Sequence, residues 1–293
     1  MKCGTAITDA PDTKAPNTQA LEWRRLTAAD VDRAVALNVE AGWNQTAADW
    51  RFMLDQGEGT GIWDNNLVAT SMLLPQQEGF AWIAMILVTA QRQRQGLASE
   101  LMRRCLDRAQ QLNLIPGLDA TEAGRKVYLP LEFRDIYPLT RWQADNPVAG
   151  ESQHVRPMRR DDLERVSLFD AAIAGTPRQA LLAHLFCRCP DRAFVVEMEG
   201  AIQGFVLARD GRLATQIGPL SANRDDVAFE LLQASLGAGP VFLDAADHHT
   251  GFAEGLARLG FRKQRGYVRM LLGRDTPLDD PARVFLIAGP ELG

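Results

Sequence analysis

One order of elements is written twice along this chain, and that duplication constrains the fold more than any other feature. Hydrophobic periodicity places a short strand at residues 21–27, with Thr27 capping a helix over 29–42. A second helix covers 46–57 and ends at Gly57, and a hairpin over 59–74 turns at Asp64-Asn65-Asn66. Residues 80–90 are nearly all apolar, the mark of a strand buried on both faces. A polar stretch then leads into an amphipathic helix over 97–112, a buried strand at 115–121, a helix at 123–133 and a closing strand at 134–142. From residue 154 the order returns: strand 154–160, helices 161–175 and 178–189, and a hairpin over 193–211. Strand 212–220, helix 225–236, strand 240–247, helix 250–261 and strand 267–273 complete it. At a shift of 130 positions Ala98, Glu100, Leu101 and Leu106 fall on Ala228, Glu230, Leu231 and Leu236. Asp30 aligns with Asp162 near the start of the halves, and Phe133 with Phe261 near their ends.

A length of 293 residues, 46% of them hydrophobic, is enough for two such cores in a globular chain. The halves run over 21–144 and 154–293, joined by a linker at 145–153. Residues 1–20 lack the apolar core of a secretory signal and read as a disordered tail. No apolar run approaches the roughly 18 residues of a membrane span. A net charge of −5 argues against nucleic acid as a partner and suits a small-molecule enzyme whose substrate is cationic. Cys3, Cys105, Cys187 and Cys189 lack the spacing of a zinc site and fit thiols in a reducing cytoplasm, so no metal is expected.

The chemistry concentrates at Gln93-Arg94-Gln95-Gly96-Leu97-Ala98, between a buried strand and a helix start. Amides at a helix N-terminus have no intrahelical partners, and the helix dipole adds partial positive charge there. Gly96 lets the backbone approach a bulky anion, Ala98 keeps the first turn small, and Arg92 and Arg94 add full charges. The combination suits a pyrophosphate. No Gly-Lys-Ser/Thr follows, which excludes a Walker loop, and the turn lacks the first glycine of a dinucleotide fingerprint.

This element order with a Gln-x-x-Gly-x-Ala turn resembles the GCN5-related N-acetyltransferase (GNAT) superfamily. The resemblance carries a motif over about residues 21–142 and element order alone over about 154–273. It implies an α/β (α+β) architecture of two tandem GNAT folds, each a mixed, mostly antiparallel sheet flanked by helices, with acetyl-CoA as co-substrate. Ile86, Leu87 and Val88 would pair with the pantetheine arm, and an amide near Leu87 would face the thioester carbonyl. Residues 93–99, Ser99 included, would wrap the pyrophosphate. Ala90 stands where the family often has proline. Tyr128 takes the position of the tyrosine that protonates the departing thiolate, five residues before Phe133, with Glu132 in place of the family's glycine. Tyr128 could equally pack a helix against the sheet. Thr121 occupies the place of a frequent asparagine, and Pro130 should end or bend its helix just past Tyr128.

The second half departs at the same positions. Asn223, Asp225 and Asp226 align with Gln93, Gln95 and Gly96, and carboxylates there repel a phosphate. Leu256 aligns with Tyr128. One cofactor site is therefore expected, in the first half. The second half either covers a splayed sheet or walls the acceptor site, where Asp244 could hold an ammonium group and His248 take its proton; a capped, solvated loop would use the same residues. In the first half Trp43 and Asn44, followed by Gln45, lie where the family binds its acceptor. The resemblance thus implies acetyl transfer to a small-molecule amine, and a cytoplasmic monomer or homodimer is expected. The alternatives are a non-catalytic CoA-sensing or interaction protein and a protein or peptide lysine acetyltransferase.

Overall fold

The computed structural model describes residues 21–150, 152 and 154–293. The proposed tail at 1–20 lies outside the described residues. The first half comprises β1 (Glu22–Arg25), α1 (Val31–Ala41), α2 (Ala47–Gln56), β2 (Glu58–Asp64) and β3 (Asn66–Pro75). It continues with β4 (Phe80–Val88), α3 (Leu97–Gln111), β5 (Ile115–Thr121), α4 (Glu122–Tyr128) and β6 (Phe133–Ala144). The second half comprises β7 (Val155–Pro157), α5 (Leu163–Ala174), α6 (Gln179–Arg188), β8 (Phe194–Met198), β9 (Ala201–Arg209) and β10 (Thr215–Ala222). Then come α7 (Asp225–Ser235), β11 (Val241–Ala246), α8 (Thr250–Arg258), β12 (Arg262–Leu272) and β13 (Val284–Leu286). The helices start and stop where the chemistry dictates. Asp30 and Asp49 bond back to the amides of Thr27 and Thr46 at 2.9 and 2.6 Å, and Gly42 closes α1 in the left-handed region. No helix among the described residues is long and apolar enough to cross a membrane.

Among the described residues thirteen strands form one sheet in the order β1-β2-β3-β4-β5-β12-β6-β11-β13-β10-β9-β8-β7. All pairings are antiparallel except β4 with β5 and β10 with β11, the mixed, mostly antiparallel arrangement expected for each half. The halves exchange strands at the centre. β12 of the second half inserts between β5 and β6 of the first, and β6 in turn lies beside β11. The closing strand foreseen at 134–142 therefore pairs with two strands of the second half, and β12 takes the place beside β5.

Each seam carries the same buried ion pair. Asp119 on β5 lies directly across from Arg269 on β12, both carboxylate oxygens taking guanidinium protons at 3.0 Å. Asp244 on β11 lies directly across from Arg141 on β6, at 2.8 and 2.7 Å. Leaving one partner of such a pair alone in the core costs about 3–5 kcal/mol. Residues 21–150 produced alone would lose β12 and strand Asp119. This fragment should show no cooperative unfolding transition, whereas co-refolding with 151–293 should restore a one-to-one complex. A folded, monomeric 21–150 fragment in sedimentation and thermal melts would contradict the exchange.

Candidate active site

The site grows from a splay in the sheet. β4 and β5 pair only from Phe80↔Ile115 to Trp82↔Gly117. At Met85 the backbone turns left-handed (φ 53°), the Thr70 hydroxyl donates to the Met85 carbonyl at 2.8 Å, and the register with β3 slips. Past that bulge β4 follows β3 while β5 follows β12. Among the described residues no strand pairs with the β5-facing edge of β4 beyond Trp82. The opened wedge is a cleft lined by Met85 and Ile86 on one side and by Asp119 and Thr121 on the other. Leu87 is buried in the core behind it, and Val88 is half-buried.

At the end of β4 the chain makes a short turn over Ala90–Arg92 and enters α3 through two left-handed residues, Arg94 (φ 60°) and Gly96 (φ 81°). Glu40 of α1 anchors the turn, accepting from the Ala90 amide at 2.6 Å and the Thr89 hydroxyl at 2.9 Å. The Gln93 and Gln95 side chains donate to the Val88 and Gln91 carbonyls at 3.3 and 3.4 Å. Leu97 is buried, while the first amides of α3, at Leu97, Ala98 and Ser99, begin the helix without intrahelical partners. A Cβ at Gly96 would meet nothing within 4 Å, so open space faces the helix start. Arg92 does not supply the free charge expected of it, because its guanidinium is committed to Asp64. Arg94 is exposed at the turn.

Tyr128 lies half-buried at the end of α4 and lines the same cleft. Its ring packs on Phe133 at 5.9 Å. Burial, with Cys105 nearby, pushes its phenol up to about 12, so it stays protonated at neutral pH. Thr121 lines the cleft but spends its hydroxyl capping α4, accepting the Gly124 amide at 3.2 Å. Pro130 ends α4 as expected, in a tight turn over Leu129–Leu131 that closes on Glu132 in the left-handed region (φ 70°). The family's glycine would sit there without that strain.

In the second half the corresponding wedge is filled. β10 and β11 pair in parallel from Thr215 to Ile217, then part, and β13 enters between them. The chain's own strand thus takes the path that the first half leaves open. Asp225 and Asp226 are exposed at the start of α7, and Leu256 is wholly buried in the core. The departures read from the sequence coincide with a blocked groove.

The acceptor candidates divide. Trp43 lines the cleft with Gln45. Asn44 does not: it is buried, donates to the Ala214 carbonyl at 3.0 Å and accepts from the Leu213 and Ala214 amides, stitching the halves together. Asp244 is no ammonium ligand, because Arg141 and Gln216 Nε2 (3.0 Å) occupy its carboxylate in the core. His248 lies outside the cleft, exposed, with its ring nitrogen 2.6 Å from the Pro281 carbonyl. The second half does wall the cleft, through residues that sequence reading missed: Arg265 and Tyr267 of β12, and Pro290 and Glu291 beyond β13. The Pro290 carbonyl accepts from Trp82 Nε1 at 2.9 Å, and the Gly293 carbonyl from Arg178 at 2.9 Å, which seats this tail.

Substituting Gly96 by Asp places both a side chain in a left-handed conformation and a negative charge at the start of α3. Calorimetric titration should then show acetyl-CoA affinity falling by about 100-fold or more, with the melting temperature nearly unchanged. Retained affinity would remove the turn from the site.

Known proteins place this geometry. Residues 20–129 match the family described as "Acetyltransferase (GNAT) family", and residues 166–286 match "Acetyltransferase (GNAT) domain". The holothin acyltransferase of a Pseudoalteromonas strain is 25% identical over 247 residues, covering 82% of each chain. The uncharacterized N-acetyltransferase YitH of Bacillus subtilis is 23% identical, covering 62% of this chain and 66% of its own. Among solved structures, a candidate acetyltransferase from Pyrococcus horikoshii superposes with a TM-score of 0.78 at 20% identity, covering 97% of this chain and all of that one. A tandem GNAT protein from the clavulanic acid biosynthesis pathway superposes with a TM-score of 0.62 at 16% identity, covering 86% and 98%. With both halves matched and the elements in this order, the chain belongs to the GCN5-related N-acetyltransferase superfamily of acyltransferases, as a tandem-domain member.

Proposed function

We propose that this protein is an acetyl-CoA-dependent N-acetyltransferase that moves the acetyl group directly to the primary amine of a small molecule. The observation that carries the reading is the open wedge between β4 and β5, which leads to the Gly96 turn at one end and has Tyr128 on its wall. The residues fit the co-substrate. An unpaired strand edge suits an amide-bearing arm, and the space beside Gly96 at a helix start suits a pyrophosphate. The main chain of Ile86–Val88 would hold the arm and residues 93–99 the phosphates. Acetyl-CoA supplies the acetyl group as an activated thioester. Tyr128 contributes a phenol that keeps its proton until pH approaches about 12, a standing donor for the sulfur as it leaves. The relative named holothin acyltransferase supports a small-molecule acceptor.

Thiol release from acetyl-CoA, followed across a panel of primary amines and lysine peptides, tests the reading; background release throughout would defeat it. Tyr128→Phe should lower kcat by about 10²–10⁴-fold while leaving acetyl-CoA affinity in place. Because the phenol's pKa is raised, the wild-type rate should show no loss from Tyr128 across neutral pH and fall only in strong alkali. Unchanged turnover in the phenylalanine variant would remove the acid role.

A further inference from the structure

Three carboxylates line or back the cleft, and two are spoken for. Asp119 is saturated by Arg269, and Asp244 by Arg141 and Gln216. Glu291 differs. It is only 3% exposed, it lines the cleft, and one oxygen takes a proton from Arg209 while Oε2 has no hydrogen-bond partner. Arg209 cannot neutralise it alone, because the same guanidinium stands 3.0 Å from Asp49. Asp49 also meets Arg188 at 2.9 Å, and Arg188 serves Asp210 at 2.6 Å. The chain of Asp210, Arg188, Asp49, Arg209 and Glu291 holds three carboxylates and two guanidiniums, with Asp210 at its exposed end. Gln45, 4% exposed on the same cleft, has a side-chain oxygen that is likewise without a donor. Two buried acceptors beside one cleft call for a hydrogen-bond donor, and the carboxylate among them suits a cationic one.

We propose that Glu291, carried in by the C-terminal segment of the second half, is the carboxylate that holds the acceptor's ammonium group and takes its proton. The assignment rests on the N-acetyl transfer reading above and deepens it. One proton passes from the ammonium to Glu291. The freed amine bonds to the acetyl carbon as the carbon–sulfur bond breaks, and Tyr128 gives its proton to the sulfur. The second proton lost from nitrogen restores Tyr128, and the one on Glu291 leaves to solvent, so each turnover releases one proton. Burial raises the Glu291 carboxyl above the ordinary carboxylate range; Arg209 opposes this, Asp49 adds to it, and Arg141 opposes it again. Tyr267 also faces the group, and Arg265 lines the same cleft from β12. The basic form is therefore lost as pH falls through that raised value, which gives the rate an acidic limb.

Glu291→Gln keeps the shape and the oxygen that meets Arg209. Turnover of a cationic primary amine from the panel should fall by about 100-fold at mildly alkaline pH, and its acidic limb should move up to the amine's own titration, because only amine already free in solution can then react. Turnover of hydroxylamine, uncharged under those conditions, should stay within about threefold, and acetyl-CoA affinity should not move. Equal losses on both nucleophiles, or none on either, would overturn the assignment. Should the glutamine variant fail to bind acetyl-CoA, Gln45→Met serves instead, with an expected rise in KM for the cationic amine alone; an unchanged KM would count against the subsite. Binding of benzylammonium to the CoA-loaded protein, read by NMR line broadening, keeps the two readings apart. Binding that Glu291→Gln abolishes, with no turnover of any amine, would retain the subsite and defeat the reaction. Turnover that Glu291→Gln leaves intact would retain the reaction and defeat the subsite. Neither binding nor turnover would defeat both.

Discussion

Everything in this fold hangs on a guanidinium facing a carboxylate across neighbouring strands, made twice. Arg269 with Asp119 and Arg141 with Asp244 join each half to a strand of the other, in the middle of the sheet. A buried pair of this kind adds little net stability against an apolar isostere, but a wrong register leaves a charge alone in the core. Its value lies in specifying one pairing among many for long, similar strands. With β12 so fixed, β5 is drawn away from β4 and the wedge stays open.

The wedge and its counterpart show how one plan acquires two fates. In the first half, the bulge at Met85 and the left-handed turn at Gly96 leave a strand edge and a helix start facing open space. In the second, β13 takes up the edge, and the Ile287 amide goes on to the Asp244 carbonyl at 3.1 Å. The segment that closes one groove then runs on to wall the other. It brings Pro290 and Glu291 to the cleft and buries Leu292 behind them.

Much of this was legible in the residues, and the limits have physical causes. Apolar periodicity locates elements because it reports which face is buried, so the order of strands and helices, the Gly96 turn and the break at Pro130 could be read directly. Period says nothing about which strand lies alongside, so the exchange of β6 and β12 was hidden. A signal was present all the same. Leu118-Asp119-Ala120 and Leu243-Asp244-Ala245 repeat an acid inside an apolar run, and Arg141 and Arg269 sit eight residues after Phe133 and Phe261. An acid kept in both halves belongs to what they share, which is why Asp244 could not be particular to one acceptor site. Glu291 was missed because the strand before it is three residues long and the repeat had already ended at Gly273.

The reciprocal exchange has a consequence for how such a chain can change. Its topology is that of two subunits trading arms, sealed into one polypeptide, so the symmetry that would force identical alterations on both partners is gone. Each half can drift separately, yet neither can drift privately. A replacement on β12 or in the closing segment, far along the chain from the Gly96 turn, is felt in the wall opposite it. The lining of the cleft can therefore be retuned from the half whose own groove is filled, leaving the Gly96 turn untouched.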